Sequence, residues 1–587
     1  TRQVVEENLL LLHNKNLKFK SITLTAKDKI CFQEKSDCNP DLCPYARGHY
    51  DRVNEAIKAV LEKENLISRE KVEEYAGTYR VCPFELSLDL ALWVDMVICD
   101  YNYVFDPRVG LKRFFSDDGG NYIFLIDEAH NLVDRARDMY SADIYLDEFL
   151  TLKELLTEND NLFNKGIKGK AYYRFLVYLN KLIELMNSYY KQLPGDNSFV
   201  QKEEPLEYRP ILNGFISGAE ELLIINQKNR MAQGSSGINR TDNTESIGNG
   251  AYKYNSSDII ELLLNQYFNV LSFMRIMDIY DDNFIVYYQQ GDSPSHSDTQ
   301  YLNKDSKNNM VQKRFKLKIF CLDPQSQLQD ILKKGKTAVF FSATLTPLAY
   351  YRQILGGSEE DYLLELESPF DSNNLCLMAA PAVSTKYNKR KDSYTNIADY
   401  IAATVEGNIG NYLVFFPSYT YMSAVYDLFI KKYPGFETII QSRNMTDKER
   451  HRYLNKYSSI GSVIGFAVLG GVFSEGVDLK GDRLLGTIIV GVGHPRICLE
   501  RDLIRDFFQE KKGTGYEFAY LYPGMNKVLQ AAGRTIRTER DRGLILLIGE
   551  RFNSYRYKTL MPVWWHQGIK MVKSRQDIEK VLNSFWF

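Results

Sequence analysis

Tyr122-Ile-Phe-Leu-Ile-Asp-Glu-Ala-His130 is the stretch on which the fold turns. Its four consecutive apolar residues have the length and content of a short buried strand. Asp127, Glu128 and His130 follow directly at the carboxyl end. In an α/β nucleotide site that is where a Mg²⁺-holding aspartate and a water-activating glutamate belong. The plainer alternative is an acid-rich helix N-terminus, which stabilises the helix dipole without chemistry. Such a site also needs a Gly-x4-Gly-Lys-Ser/Thr loop to cradle phosphates. None lies upstream. The one Gly-Lys-Thr, at Gly335-Lys-Thr337, has Asp330 where the first glycine should be and precedes a strand instead of following one.

Working outward, the chain has 587 residues, enough for about three or four domains at roughly 150 residues each. A net charge of −2 excludes a chain coated in positive charge, although a basic groove can hide in a balanced total. No apolar run approaches the roughly 18 residues of a membrane span, and the first residues lack the pattern of a signal peptide. The expectation is a cytoplasmic protein whose sequence begins inside a domain.

Residues 1–30 read as a helix and then a strand-like Ser21–Thr25. A helical Tyr50–Glu64 follows, then strand candidates at Ala91–Cys99 and Tyr122–Ile126. From about 131 to 315 the periodicity turns helical, as in Phe149–Leu156 and Ala171–Tyr190. Within it, Asn229–Asp258 and Gly291–Asn309 are polar stretches that read as loops. After 315, strands alternate with helices: Ala338–Phe341, Tyr412–Phe416, Ser462–Leu469, Thr487–Val492 and Leu544–Ile548. Alternation of this kind means parallel sheets covered by helices. The fold class is therefore α/β, with two α/β blocks, the first interrupted by a cysteine-bearing insertion and a helical one.

Three further constellations carry chemistry. Gln530-Ala-Ala-Gly-Arg-Thr-Ile-Arg537 places Gln530, Arg534 and Arg537 at i, i+4 and i+7, one face of a helix, with Gly533 allowing close approach. Two guanidiniums on one stripe suit a polyphosphate. Gly470-Gly-Val-Phe-Ser-Glu475-Gly476-Val-Asp478 follows an apolar strand; its glycines allow a tight turn whose N–H groups can meet an anion. Ser342-Ala-Thr344 puts two hydroxyls at a strand end. Cys31, Cys38, Cys43 and Cys82 offer four thiolates. Their spacing is not the paired knuckle of structural zinc, and a metal is expected without the residues choosing it. His49, Tyr50, Arg52, Tyr101 and Tyr103 mix rings and polar groups suited to stacking bases and gripping phosphates, or are ordinary tyrosines of a Tyr-rich chain.

In their order, these segments resemble motifs II, III, V and VI of superfamily 2 helicases, and Val414-Phe-Phe-Pro-Ser418 resembles motif IV. The early cysteines and the helical insertion resemble the XPD/DinG branch, and Cys82-Pro-Phe-Glu-Leu-Ser87 and Asp100-Tyr-Asn-Tyr-Val-Phe-Asp-Pro107 are similar to bacterial DinG-like proteins. The resemblance implies two RecA-like domains: 1–25, 89–130 and 316–368 for the first, 369–587 for the second. It implies an iron–sulfur domain at 26–88 and an arch domain at 131–315. It further implies ATP and Mg²⁺ as cofactors, a 4Fe–4S cluster on Cys31, Cys38, Cys43 and Cys82, and a monomer that moves 5′→3′ on single-stranded DNA and opens duplex junctions in DNA repair.

Asp127 would hold Mg²⁺, Glu128 would polarise the attacking water and His130 would couple the site to the second domain. Gln530, Gly533, Arg534 and Arg537 would reach the nucleotide, one arginine acting as the finger. Ser342 and Thr344 would link hydrolysis to movement, and Glu475, Gly476 and Asp478 would lie near cleft and DNA. Because Thr1-Arg-Gln3 resembles the tail of motif Ia, the expected phosphate loop would precede Thr1. A helicase-like protein that binds nucleic acid without hydrolysis is the alternative.

Overall fold

The computed structural model describes residues 2–16, 19–34, 38–40, 42–110, 120–159, 167–194, 197–234, 256–291, 314–458, 461–474, 479 and 481–587. Most of the two polar stretches at 229–258 and 291–309 lies outside them. The chain forms two units. Residues 1–127 and 132–340 make the first; residues 128–131 and 341–587 make the second. The break in the first therefore falls between Asp127 and Glu128.

Among the described residues, the first unit holds three small sheets. Leu66–Ile67, Ser21–Thr23 and Met96–Ile98 form a parallel sheet. Helices His49–Lys63, Arg69–Tyr79 and Pro83–Leu90 share a core with it, built on Ile22, Val53, Val60, Val72 and Leu86. Ile123–Asp127 pairs with Thr337–Phe341 in a two-stranded ribbon. The apolar run of Ile123–Asp127 predicts burial on both faces, and here the structure differs. Phe124 and Ile126 are buried, but Ile123 is 61% and Leu125 58% exposed, because the second face of the ribbon meets solvent. Gly335 packs against the Phe124 ring and Lys336 N donates to Tyr122 O, so Gly335-Lys-Thr337 serves as a strand entry.

The 131–315 stretch has the expected helices, including Leu146–Glu158, Ile167–Tyr190, Arg209–Gly234 and Ser256–Met277. It also carries an antiparallel sheet in the order Ala142–Tyr145, Arg314–Cys321, Phe284–Gly291, Ser198–Gln201. Buried Arg314 ties sheet to helix by pairing with Asp147 at 2.8 Å and with Glu148, whose other oxygen accepts Gln266 Nε2.

The second unit is a seven-stranded parallel sheet in the order Glu437–Ile440, Val463–Val468, Tyr412–Phe416, Gly486–Val490, Gly543–Ile548, Leu375–Ala380, Lys570–Met571. Alternate side chains divide the sheet into two faces. Val414, Phe466, Ile488 and Leu546 pack with helices Arg390–Gly407, Tyr419–Lys432 and Arg575–Trp586. Leu413, Ala467, Ile489 and Leu547 pack with helix Tyr522–Ala532 on the other face. Strands buried on both faces need apolar residues throughout, which is why they read as continuous runs.

Candidate functional site

The strand Ile123–Asp127 ends where the chain turns sharply, with Glu128 at φ 47°. A non-glycine residue in the left-handed region is strained, and such strain clusters at functional sites. Asp127 remains with the first unit, where its carbonyl accepts the Tyr101 hydroxyl. Tyr101 is thus engaged in holding the strand end.

Within the second unit, Glu128 and His130 meet residues far away in sequence. Ser342 Oγ lies 3.0 Å from Glu128 Oε2 and 2.8 Å from His130 Nδ1. The other imidazole nitrogen, Nε2, contacts Gln530 Nε2. The imidazole thus bridges Gln530 on one ring nitrogen and Ser342 on the other, and the Ser342 hydroxyl donates to the Glu128 carboxylate. Thr344 Oγ1 sits 3.2 Å from His130 Nδ1, and Thr344 N donates to Ser342 Oγ. His130 is buried and Glu128 is half exposed, so the buried half of the chain steers a carboxylate that solvent or a ligand can reach.

The helix carrying Gln530 stops sooner than its spacing predicts. The i, i+4, i+7 stripe requires a helix through Arg537, but helix Tyr522–Ala532 ends and Gly533 caps it. Arg534 and Arg537 lie beyond. Asp541 explains the stop: its carboxylate accepts Arg537 N at 2.7 Å and Thr538 N at 2.9 Å, an alternative to helical bonding. Thr535 is buried against Thr487, 2.9 Å between hydroxyls. Arg534 Nε donates to Ser474 O, which anchors the guanidinium to the loop after strand Val463–Val468. Gly533 meets only carbonyls of its own helix. Gly470, at φ 71°, does require glycine: an added Cβ would fall 2.8 Å from Lys527 Cε. Glu475, Gly476 and Asp478 lie outside the described residues.

Two residues missed by the sequence reading, Asn526 and His494, join this neighbourhood. Asn526 is buried against Thr344 and Tyr351. His494 accepts from or donates to the Tyr557 hydroxyl at 3.0 Å; burial, Arg551 and Lys527 push its pKa down to about 4. It is therefore neutral. The missed signal for Asn526 is its place one helical turn before Gln530, on the same face.

The cysteines give a different result. Cys31 Sγ accepts Gln33 N at 3.5 Å, Cys43 is buried, and Cys82 precedes helix Pro83–Leu90. Lys27 hydrogen-bonds Cys38 and has Cys82 and Glu85 nearby, which raises its pKa. Yet among the described residues no three His, Cys, Asp or Glu side chains are placed to hold a metal ion. Burial raises the Cys82 pKa and Cys38 lies near enough to add to the rise, so these two thiols share the neighbourhood of Lys27. A Mg²⁺ at Asp127 faces no such test, since that ion takes one or two carboxylates and completes its shell with water and phosphate. Of the proposed base-stacking group, Tyr50 is 83% exposed, while Arg52 is engaged by the carbonyls of Arg47, Tyr79 and Arg80 and His49 is buried beside Cys82.

Comparison with known proteins agrees with this architecture. The DEAD_2 family matches residues 3–149, and the Helicase C-terminal domain family matches residues 401–568. The chain is 20% identical to ATP-dependent DNA helicase CHL1 of Vanderwaltozyma polyspora, covering 84% of this chain and 58% of that protein. It is 23% identical to the general transcription and DNA repair factor IIH helicase subunit XPD of Dictyostelium discoideum, covering 85% and 68%. It thus spans little more than half the length of the first of these relatives. A solved XPD helicase structure superposes with a TM-score of 0.52 at 16% identity, covering 95% of this chain and 91% of that one, which shows the shared fold. With both families matched in the order of the motifs, the chain belongs to the XPD/DinG-like branch of the superfamily 2 helicases.

Proposed function

We propose that this chain is the motor portion of an ATP-dependent DNA helicase that moves 5′→3′ on single-stranded DNA and opens duplex junctions. The observation that carries the reading is the hydrogen-bonded chain Gln530–His130–Ser342–Glu128, which joins three separate sequence motifs to one carboxylate. In this reading ATP and Mg²⁺ are the cofactors. The metal supplies charge neutralisation on the phosphates. Asp127 is its protein ligand, Glu128 orients the attacking water, and Arg534 or Arg537 answers the transferred phosphate. Glu475, Gly476 and Asp478 are proposed near nucleotide and DNA. The protein is proposed to act as a cytoplasmic monomer. A 4Fe–4S cluster on Cys31, Cys38, Cys43 and Cys82 rests on the residue pattern and the family alone, and no step is routed through it.

The second reading is a helicase-like protein that binds nucleic acid without hydrolysis. One observation favours it: these 587 residues hold no Gly-x4-Gly-Lys-Ser/Thr loop. The test expresses the chain with whatever coding sequence runs in frame upstream of Thr1. The helicase reading predicts ATP-dependent opening of a duplex with a 5′ single-stranded tail in preference to a 3′ tail. Preference for the 3′ tail overturns the polarity, and binding of the tail without ATP-dependent opening selects the second reading. Anaerobic preparations of the same protein should be brown; colourless protein with bound zinc removes the cluster.

A further inference from the structure

Asn526 is a buried amide in the middle of helix Tyr522–Ala532, only 6% exposed. Asparagine is a poor helix former, and a buried amide is costly unless it is hydrogen-bonded. Here the bonds are made. Nδ2 lies 2.9 Å from Thr344 O, 3.2 Å from Thr344 Oγ1 and 2.8 Å from Tyr351 OH. With two hydrogens for three acceptors, the amide holds both the backbone and the hydroxyl of Thr344. Neither a leucine nor an aspartate of the same size could do so, since neither donates.

Gln530 follows one turn later on the same face, and Thr344 Oγ1 also approaches His130 Nδ1. Two adjacent turns of one helix therefore grip the same constellation. Gln530 grips it through His130, and Asn526 grips it through Thr344. Thr344 N in turn donates to Ser342 Oγ, the hydroxyl that steers Glu128.

We propose that Asn526 is a positioning residue that locks the Ser342-Ala-Thr344 loop to the helix bearing Gln530, so that Ser342 stays in register with both His130 and Glu128. It touches no nucleotide and acts through Thr344. Its consequence for turnover rests on the helicase reading above; its consequence for the loop does not.

The experiment compares wild type with Asn526→Leu, which keeps the volume and removes the donor, and with Tyr351→Phe, which removes one acceptor and leaves Thr344 held. Amide hydrogen exchange is followed over the peptide spanning Ser342–Thr346, alongside thermal melting. Asn526→Leu should speed exchange in that peptide about tenfold, the cost of losing the amide's bonds to the Thr344 carbonyl and hydroxyl, while the rest of the second unit keeps its protection. Tyr351→Phe should leave the peptide near its wild-type rate. Unchanged exchange in Asn526→Leu overturns the proposal, as does a uniform rise across the unit, which would mean Asn526 only fills space. In protein that hydrolyses ATP, Asn526→Leu should lower kcat about tenfold with KM for ATP nearly unchanged. If wild type hydrolyses none, the functional reading fails while the exchange result still decides the positioning role.

Discussion

Glu128 and His494 show how single residues report on the site. Glu128 takes a left-handed backbone, φ 47°, and the hydrogen bond from Ser342 keeps its carboxylate in place, with His130 Nδ1 3.4 Å away. His494 is the opposite case, a buried ring held neutral. Its pKa falls from 6.5 to about 4 because burial and the cations Arg551 and Lys527 oppose its charge. The unfolded chain binds the proton more readily, so stability rises with pH across this window. The contribution is fully present above pH 6.5 and is lost as pH falls toward 4, with a ceiling of roughly 3 kcal/mol. Urea unfolding at pH 7 and pH 5 should show a drop for wild type that is smaller in His494→Gln, which keeps an acceptor for Tyr557 and does not titrate. Equal drops in both proteins would remove His494 as the source.

Elements explain what the sequence showed and what it hid. The strands of the second unit were legible because both faces are buried, and Tyr412–Phe416 forms over the residues its apolar run predicts. Gly465 in strand Val463–Val468 was not legible. An added Cβ there would fall 1.8 Å from the Tyr457 hydroxyl and 2.5 Å from that of Tyr453, which cross over the strand to donate to Tyr412 O and Phe466 O. Gly465→Ala should cost about 1–3 kcal/mol by overpacking, and Tyr457→Phe in the same chain should recover part of it. Equal stability of Gly465→Ala and wild type in denaturant titration would contradict this packing. The end of helix Tyr522–Ala532 was hidden for another reason. Spacing alone favours continuation through Arg537, while the Asp541 turn that captures Arg537 N and Thr538 N depends on a residue outside the repeating pattern. The antiparallel sheet in 131–315 escaped because its strands are few beside long helices, and periodicity is dominated by the helices.

At the scale of the whole molecule, motif order carried the α/β class and the family, and both families found by comparison fall on the two α/β blocks. The constellation was legible in part. Asp127, Glu128, His130, Ser342, Thr344 and Gln530 were identified by motif, and the structure brings the last five together in one unit. Asn526 escaped because a buried asparagine has no motif of its own. The cysteine cage remains a proposal that rests on the residue pattern and the family. The central claim is that the Gln530–His130–Ser342 chain aims Glu128 at a water on bound ATP. The most direct test is ATP hydrolysis with and without single-stranded DNA, measured on wild type and Glu128→Gln expressed with any in-frame upstream sequence. The account predicts DNA-stimulated hydrolysis in wild type and a loss of about a hundredfold or more in Glu128→Gln with ATP binding retained. Equal turnover in the two proteins would contradict it.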